Sequence, residues 1–92
     1  MKKLKVEIPN KVVKSIEKLP SPIQEKILEE VVGLSSNYLP DGKRIKKVQG
    51  RKNTYRLRIG SYRAIFTIQG EKIFILLVIH RKDLEKKLKD LW

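Results

Sequence analysis

The sequence predicts an α+β domain, and three observations carry that reading. Apolar residues recur at helical spacing between residues 12 and 34. The period changes to two between residues 44 and 79, and helical spacing returns at Leu84, Leu88 and Leu91. At 92 residues the expectation is a single domain over residues 1–92 whose small core gives modest net stability.

Each element follows in order. Residues 4–8 alternate apolar and charged side chains, a short strand that Pro9 ends. Asn10 is placed to cap a helix with Val12, Val13, Ile16 and Leu19 inward, and Pro20 stops it. Ser21, Pro22, Ile23 and Gln24 then read as a capping box with proline at the first helical position. Ile23, Ile27, Leu28, Val31 and Leu34 form the inward stripe of this second helix, which residues 33–37 end. Residues 39–42 are a turn, 44–48 a short strand and 50–53 a loop. Three consecutive strands follow at 54–59, 62–68 and 72–79, joined by Gly60-Ser61 and by residues 69–71. Residues 73–79 are apolar throughout, which predicts a central strand covered on both faces. Leu84, Leu88, Leu91 and Trp92 then belong to a C-terminal helix lying on the sheet.

Composition narrows the function. There is no cysteine and one histidine, so neither a thiolate site nor a histidine zinc cluster is available. The start has no apolar signal core, and the apolar run at 73–79 is far too short to span a membrane. These features predict a cytoplasmic protein. Lys and Arg number 22 against 10 Asp and Glu, a net charge of +12. The excess has an address. Residues 1–41 carry seven basic and six acidic side chains, close to neutral, and read as scaffold. Residues 42–70 carry nine basic and no acidic ones: Lys43, Arg44, Lys46, Lys47, Arg51, Lys52, Arg56, Arg58 and Arg63. A segment that excludes acids while keeping Tyr and Phe fits a phosphate-backbone footprint.

The Gly60-Ser61 loop suits a two-residue type II′ hairpin turn, which sets the register. Arg58 then faces Arg63, Leu57 faces Ala64, and Arg56 faces Ile65. Alternation sends Tyr55, Leu57, Ile59, Tyr62, Ala64 and Phe66 to one side, and Arg56, Arg58 and Arg63 to the other. Arginines opposite one another repel. Their counter-charge comes either from Asp83 or Glu85 in the C-terminal segment or from a bound phosphate, which guanidinium forks grip bidentately. Of Lys46 and Lys47 only one can line that face, because neighbouring strand residues point oppositely. His80 and Arg81 follow the apolar strand directly, and His80 is the side chain whose ordinary pKa lies near neutrality.

Strand, helical hairpin, K-x-x-G at 47–50, Y-R-L-R-I-G-S-Y-R at 55–63, apolar strand and H-R-K-D at 80–83 together resemble the RelE/ParE superfamily of small toxins. Within it the likeness is to RelE-type messenger-RNA interferases. The resemblance implies an antiparallel-rich sheet with two N-terminal helices on one face and a basic cleft on the other. It implies the toxin of a type II toxin–antitoxin system, one that enters the ribosomal A site and cuts mRNA without a metal or other cofactor. The messenger's own 2′-hydroxyl attacks the adjacent phosphodiester. Carried over to this chain, Arg56 and Arg58 bind phosphate and assist proton transfer, while Arg63 and Arg81 stabilise the phosphorane. Lys43, Arg44, Lys46, Lys47, Arg51 and Lys52 are RNA-backbone contacts. Many members have a tyrosine shortly after the arginine of H-R. Here that position is Glu85, so the acid role falls to His80 or is unfilled. The implied partners are the ribosome, mRNA and an acidic RelB-like antitoxin that can displace the C-terminal helix. A gyrase-directed ParE-type toxin and a catalytically silent RNA-binding module are the alternatives on the same fold.

Overall fold

A computed structural model describes residues 2–91. Its elements are β1 (Lys5–Glu7), α1 (Asn10–Glu17), α2 (Ser21–Gly33), β2 (Ile45–Lys47), β3 (Thr54–Ile59), β4 (Tyr62–Gln69), β5 (Lys72–His80), a 3-10 turn (Arg81–Asp83) and α3 (Leu84–Leu91). The strands form one sheet in the order β1-β5-β4-β3-β2. β1 runs parallel to β5, and the other three pairings are antiparallel.

Both N-terminal helices start one residue differently from the capping pattern in the sequence. Pro9 and Pro20, rather than Asn10 and Ser21, are the N-caps, and neither helix has a side-chain cap. The capping box is not formed. Gln24 turns back to donate to the carbonyls of Leu19 and Glu17 instead, at 2.6 and 3.2 Å, so it ties the two helices together. A proline cap supplies the extended backbone at the helix entrance and lets its carbonyl accept the first amides, as Pro20 does from Ile23 and Gln24.

One face of the sheet carries the main core. Leu57, Ala64, Phe66, Ile73 and Ile75 are fully buried there against Ile27 and Val31 of α2, with Val12 and Ile16 of α1 in the same cluster. Complete burial of that many branched and aromatic side chains is the principal favourable term for folding. Leu28, assigned to the inward stripe, is instead 40 % exposed. Ile23, Ile27, Val31 and Leu34 fill the buried arc, and position 28 falls off its edge.

The β3–β4 hairpin has the expected register at every position, from Ile59 opposite Tyr62 to Tyr55 opposite Phe66. Gly60 takes φ +58° while Ser61 keeps a negative φ, consistent with the type II′ turn. β5 is an interior strand as expected, paired with β1 on one edge and β4 on the other, and β4 is the middle of the five. On β5 the pairing skips: Ile75 faces Phe66 but Leu77 faces Ile65, leaving Leu76 as a bulge. Ile73, Ile75 and Val78 are buried on the helix side, while Phe74, Leu77 and Ile79 on the other side are only half-buried. The second cover for β5 is thinner than the apolar run implied, because α3 is eight residues long. Leu84 is buried and Leu88 and Leu91 are half-buried, as the C-terminal stripe predicts; Trp92 lies outside the described residues. Among the described residues no helix is long and apolar enough to cross a membrane.

Candidate functional site

The hairpin register puts Arg58 and Arg63 side by side on the sheet face away from α1 and α2. Two backbone hydrogen bonds extend the pair into a row. The Arg58 amide donates to the Arg44 carbonyl at 2.8 Å, and the Arg81 amide donates to the Ser61 carbonyl at 2.8 Å. Arg44, Arg58, Arg63 and Arg81 are thereby fixed across four successive chain segments. One step along the strands, Lys46 pairs with Arg56 and Arg56 with Ile65.

Two shallow clefts lie along this row. The first, about 180 Å³, is lined by Lys43, Arg44, Lys46, Arg56, Arg58 and Arg63. The second, about 410 Å³, contains Arg58, Arg63 and Arg81 with Arg44, Lys26 and Glu30. Arg63 sits where they meet. Its Nη1 donates to the carbonyls of Gly60 and Tyr62, at 2.9 and 2.8 Å, which aims the guanidinium along the hairpin tip. Burial first, and then the positive charges of Arg58, Arg81 and Arg56, push Arg63 below the usual arginine value. It remains a cation at neutral pH, held among three others.

Asp83 and Glu85 do not supply the counter-charge. Among the described residues no carboxylate forms an ion pair with Arg56, Arg58, Arg63 or Arg81. The acid that enters the site is Glu30 of α2, whose Oε1 lies 3.0 Å from Arg44 Nε and whose Oε2 lies 3.8 Å from Lys26 Nζ. The near-neutral first half is therefore more than scaffold. Lys26 and Glu30 each precede a stripe residue, Ile27 and Val31, so the sequence places them as an i,i+4 pair flanking the buried arc without showing what that flank meets.

The loop before β2 is held by Asp41. Its Oδ1 accepts from the amides of Lys43, Arg44 and Ile45 at 2.8, 2.8 and 3.0 Å. The Ile45 and Lys43 amides are the leading causes that hold this carboxyl below its ordinary value.

The other sequence candidates divide. Lys46 faces the arginines, whereas Lys47 pairs with Tyr55 on the alternate side; both lysines line an adjoining hollow with Arg56, Glu85 and Leu88. Arg51 and Lys52 are on the exposed loop after β2 and line neither arginine cleft. His80 pairs with Tyr62, which places it on the helix side; its ring stands edge-on to Tyr62 with centroids 5.3 Å apart. His80 Nδ1 accepts from the Lys82 amide at 3.2 Å, capping the 3-10 turn, and the imidazole lines neither arginine cleft. Among the described residues no group of three or more His, Asp or Glu side chains is placed to hold a metal ion.

A guanidinium row in which Arg58, Arg63 and Arg81 have no carboxylate partner among the described residues can hold phosphate oxygens and stabilise negative charge that develops on them. Known proteins resemble this chain in sequence and fold. Toxin RelE3 of Methanocaldococcus jannaschii is 36% identical over 85 residues, covering 88% of this chain and 94% of that protein. Putative toxin RelE1 of the same organism is 32% identical over 83 residues, covering 88% and 92%. A chain of the archaeal RelE-RelB complex from Pyrococcus horikoshii OT3 superposes with a TM-score of 0.73 at 28% identity, over 86% of this chain and 96% of that one. The isolated E. coli RelE toxin shares the fold, with a TM-score of 0.71 at 14% identity over 97% and 99% of the two chains. Residues 6–85 match the family described as the ParE toxin of type II toxin-antitoxin systems. With that match over most of its length and relatives named RelE, the chain belongs to the RelE/ParE family of toxins.

Proposed function

We propose that this chain, as a single toxin domain, is a ribosome-dependent mRNA endonuclease that acts in the A site and is neutralised by an acidic, RelB-like antitoxin. The observation that carries the proposal is the row Arg44, Arg58, Arg63 and Arg81, in which only Arg44 has a carboxylate partner among the described residues. In this reading the messenger's 2′-hydroxyl attacks the neighbouring phosphorus. The 2′-oxygen–phosphorus bond forms, the bond to the 5′-oxygen breaks, and a cyclic phosphate and a 5′-hydroxyl result. The 2′-hydroxyl proton leaves to water, and the departing 5′-oxygen takes one from water. Arg58, Arg63 and Arg81 stabilise the extra charge on the pentacoordinate phosphorus, which is the large term in such chemistry. Lys43, Lys46 and Arg56 hold the adjoining backbone. A +12 protein also suits an acidic partner that competes with RNA for the same charge.

The test is to map new 5′ ends on messenger by primer extension, with programmed ribosomes and with naked RNA, using Arg63→Ala as control. Cuts in the A-site codon only with ribosomes, lost in the variant, are the expected result. A folded protein that cuts in neither tube overturns the proposal. The second reading, a gyrase-directed toxin, draws on the ParE name of the matching family and on Glu85 at the family's tyrosine position. It predicts that Arg63→Ala stays toxic when expressed.

A further inference from the structure

Beside the arginine row the helix layer and the hairpin leave a hollow of different character. It measures about 250 Å³ and is walled by Pro22, Ile23 and Ile27 of α2, Ile59 of β3 and Tyr62 of β4. Lys26, Ile59 and Gly60 also line the cationic cleft that contains Arg58, Arg63 and Arg81, so the two adjoin around the hairpin tip. One wall is a half-buried aromatic ring. Tyr62 stands against His80 at an interplanar angle of 75°, and His80 is itself tied to the Lys82 amide. The ring is thus in contact with His80 before any ligand arrives.

An apolar slot with an aromatic wall, opening beside clustered guanidinium groups, suits a nucleotide: phosphate on the cations, base in the slot. The volume is below that of pockets for drug-sized ligands and suits one base. We infer that the hollow between Pro22 and Tyr62 is a nucleobase subsite for the nucleotide whose phosphate lies on Arg58, Arg63 and Arg81. The inference rests on the RNA-directed reading above and adds to it a specific place for a base, built from α2 and a tyrosine ring in contact with His80. The walls are largely hydrocarbon, so ring area rather than base identity governs binding, and purines are favoured over pyrimidines.

The experiment is a binding titration of isotopically labelled protein, followed by NMR, with adenosine 5′-monophosphate and separately with ribose 5-phosphate. Both probes are expected to shift the Nε–H signals of Arg63 and Arg81. The nucleotide alone should shift the methyl groups of Ile23, Ile27 and Ile59. Tyr62→Leu should weaken the nucleotide roughly tenfold, toward the affinity of ribose 5-phosphate, given the usual strength of base–aromatic stacking. Ile23→Asn, on a half-buried residue of the slot, serves as a second variant should Tyr62→Leu fail to fold. Identical shifts from both probes, with the isoleucine methyls unmoved, overturn the subsite while leaving the phosphate site standing. A response at neither the arginines nor the isoleucines removes both, independently of whether the ribosome assay shows cleavage.

Discussion

Arg58 and Arg63 face each other directly across the β3–β4 ladder, a like-charge pair that no described carboxylate relieves. The hairpin places it there because its turn fixes the register, whatever the electrostatic preference of the side chains. Stability and binding therefore pull in opposite directions at these two positions.

Arg58→Gln separates the two. Removing one of two opposed charges should raise unfolding stability by about 0.2–1 kcal/mol, read from the urea midpoint at unchanged slope. The same substitution should weaken single-stranded RNA and flatten the salt dependence of log K by about 0.7 if it removes one phosphate contact. A variant less stable than the parent, or one with an unchanged salt slope, contradicts this account.

Glu30→Gln tests the acid in the wall. Its carboxylate holds Arg44 at 3.0 Å and places negative charge beside the second cleft. Neutralising it should tighten RNA binding at low salt by about two- to fivefold, an effect that fades as salt screens it. Weaker binding would instead show that pinning Arg44 matters more than the charge Glu30 contributes.

Asp41 predicts a pH-dependent loop. Its carboxyl is depressed by amide hydrogen bonds from Ile45 and Lys43, so the folded form binds its proton more weakly than the unfolded chain. The stabilisation is present above the ordinary carboxylate value and is lost as pH falls through the lower folded one. The amide resonances of Lys43, Arg44 and Ile45 should titrate together, with a common midpoint below 3.8. Amide signals that move separately, or a midpoint above that value, would detach the loop from Asp41.

The core beneath α2 and the outer edge of that helix can be compared through truncation. Phe66→Ala removes a fully buried ring packed with Ile27 and Val31 in one cluster, and should cost about 3–5 kcal/mol. Leu28→Ala, at a side chain 40 % exposed, should change stability by no more than about 0.5 kcal/mol. Chemical denaturation of both variants measures the difference.

Much of this architecture was legible from residue order. The change of period from helical to alternating located every strand to within a residue or two, and Gly60-Ser61 delivered the hairpin register and hence the Arg58–Arg63 pair. Local signals failed where a tertiary choice intervened. Gln24 had a carbonyl target in the preceding helix and left the capping box unformed. Lys26 and Glu30 entered the site because the path of the chain brings α2 against the Arg44 loop, a proximity that spacing within one helix does not encode. The uniform apolar run 73–79 hid its own irregularity, since a bulge is invisible when every neighbour is equally greasy.

The bulge at Leu76 acts on parity. Beyond it odd and even positions exchange sides, so Val78 and His80 turn toward the helices, while Leu77 and Ile79 share a face with the arginines. Arg81, the next residue, lies among the guanidinium groups. Were Leu76 drawn into strict alternation after Ile75, the pattern beyond it would reverse, and the imidazole would join Arg58 and Arg63 while Arg81 faced α2. Deleting Leu76 would keep His80 and Arg81 on their present faces, but ironing the bulge out with every residue retained would do more than straighten a strand. It would exchange an imidazole for a guanidinium at the same place on the sheet, and with it the kind of proton chemistry available there.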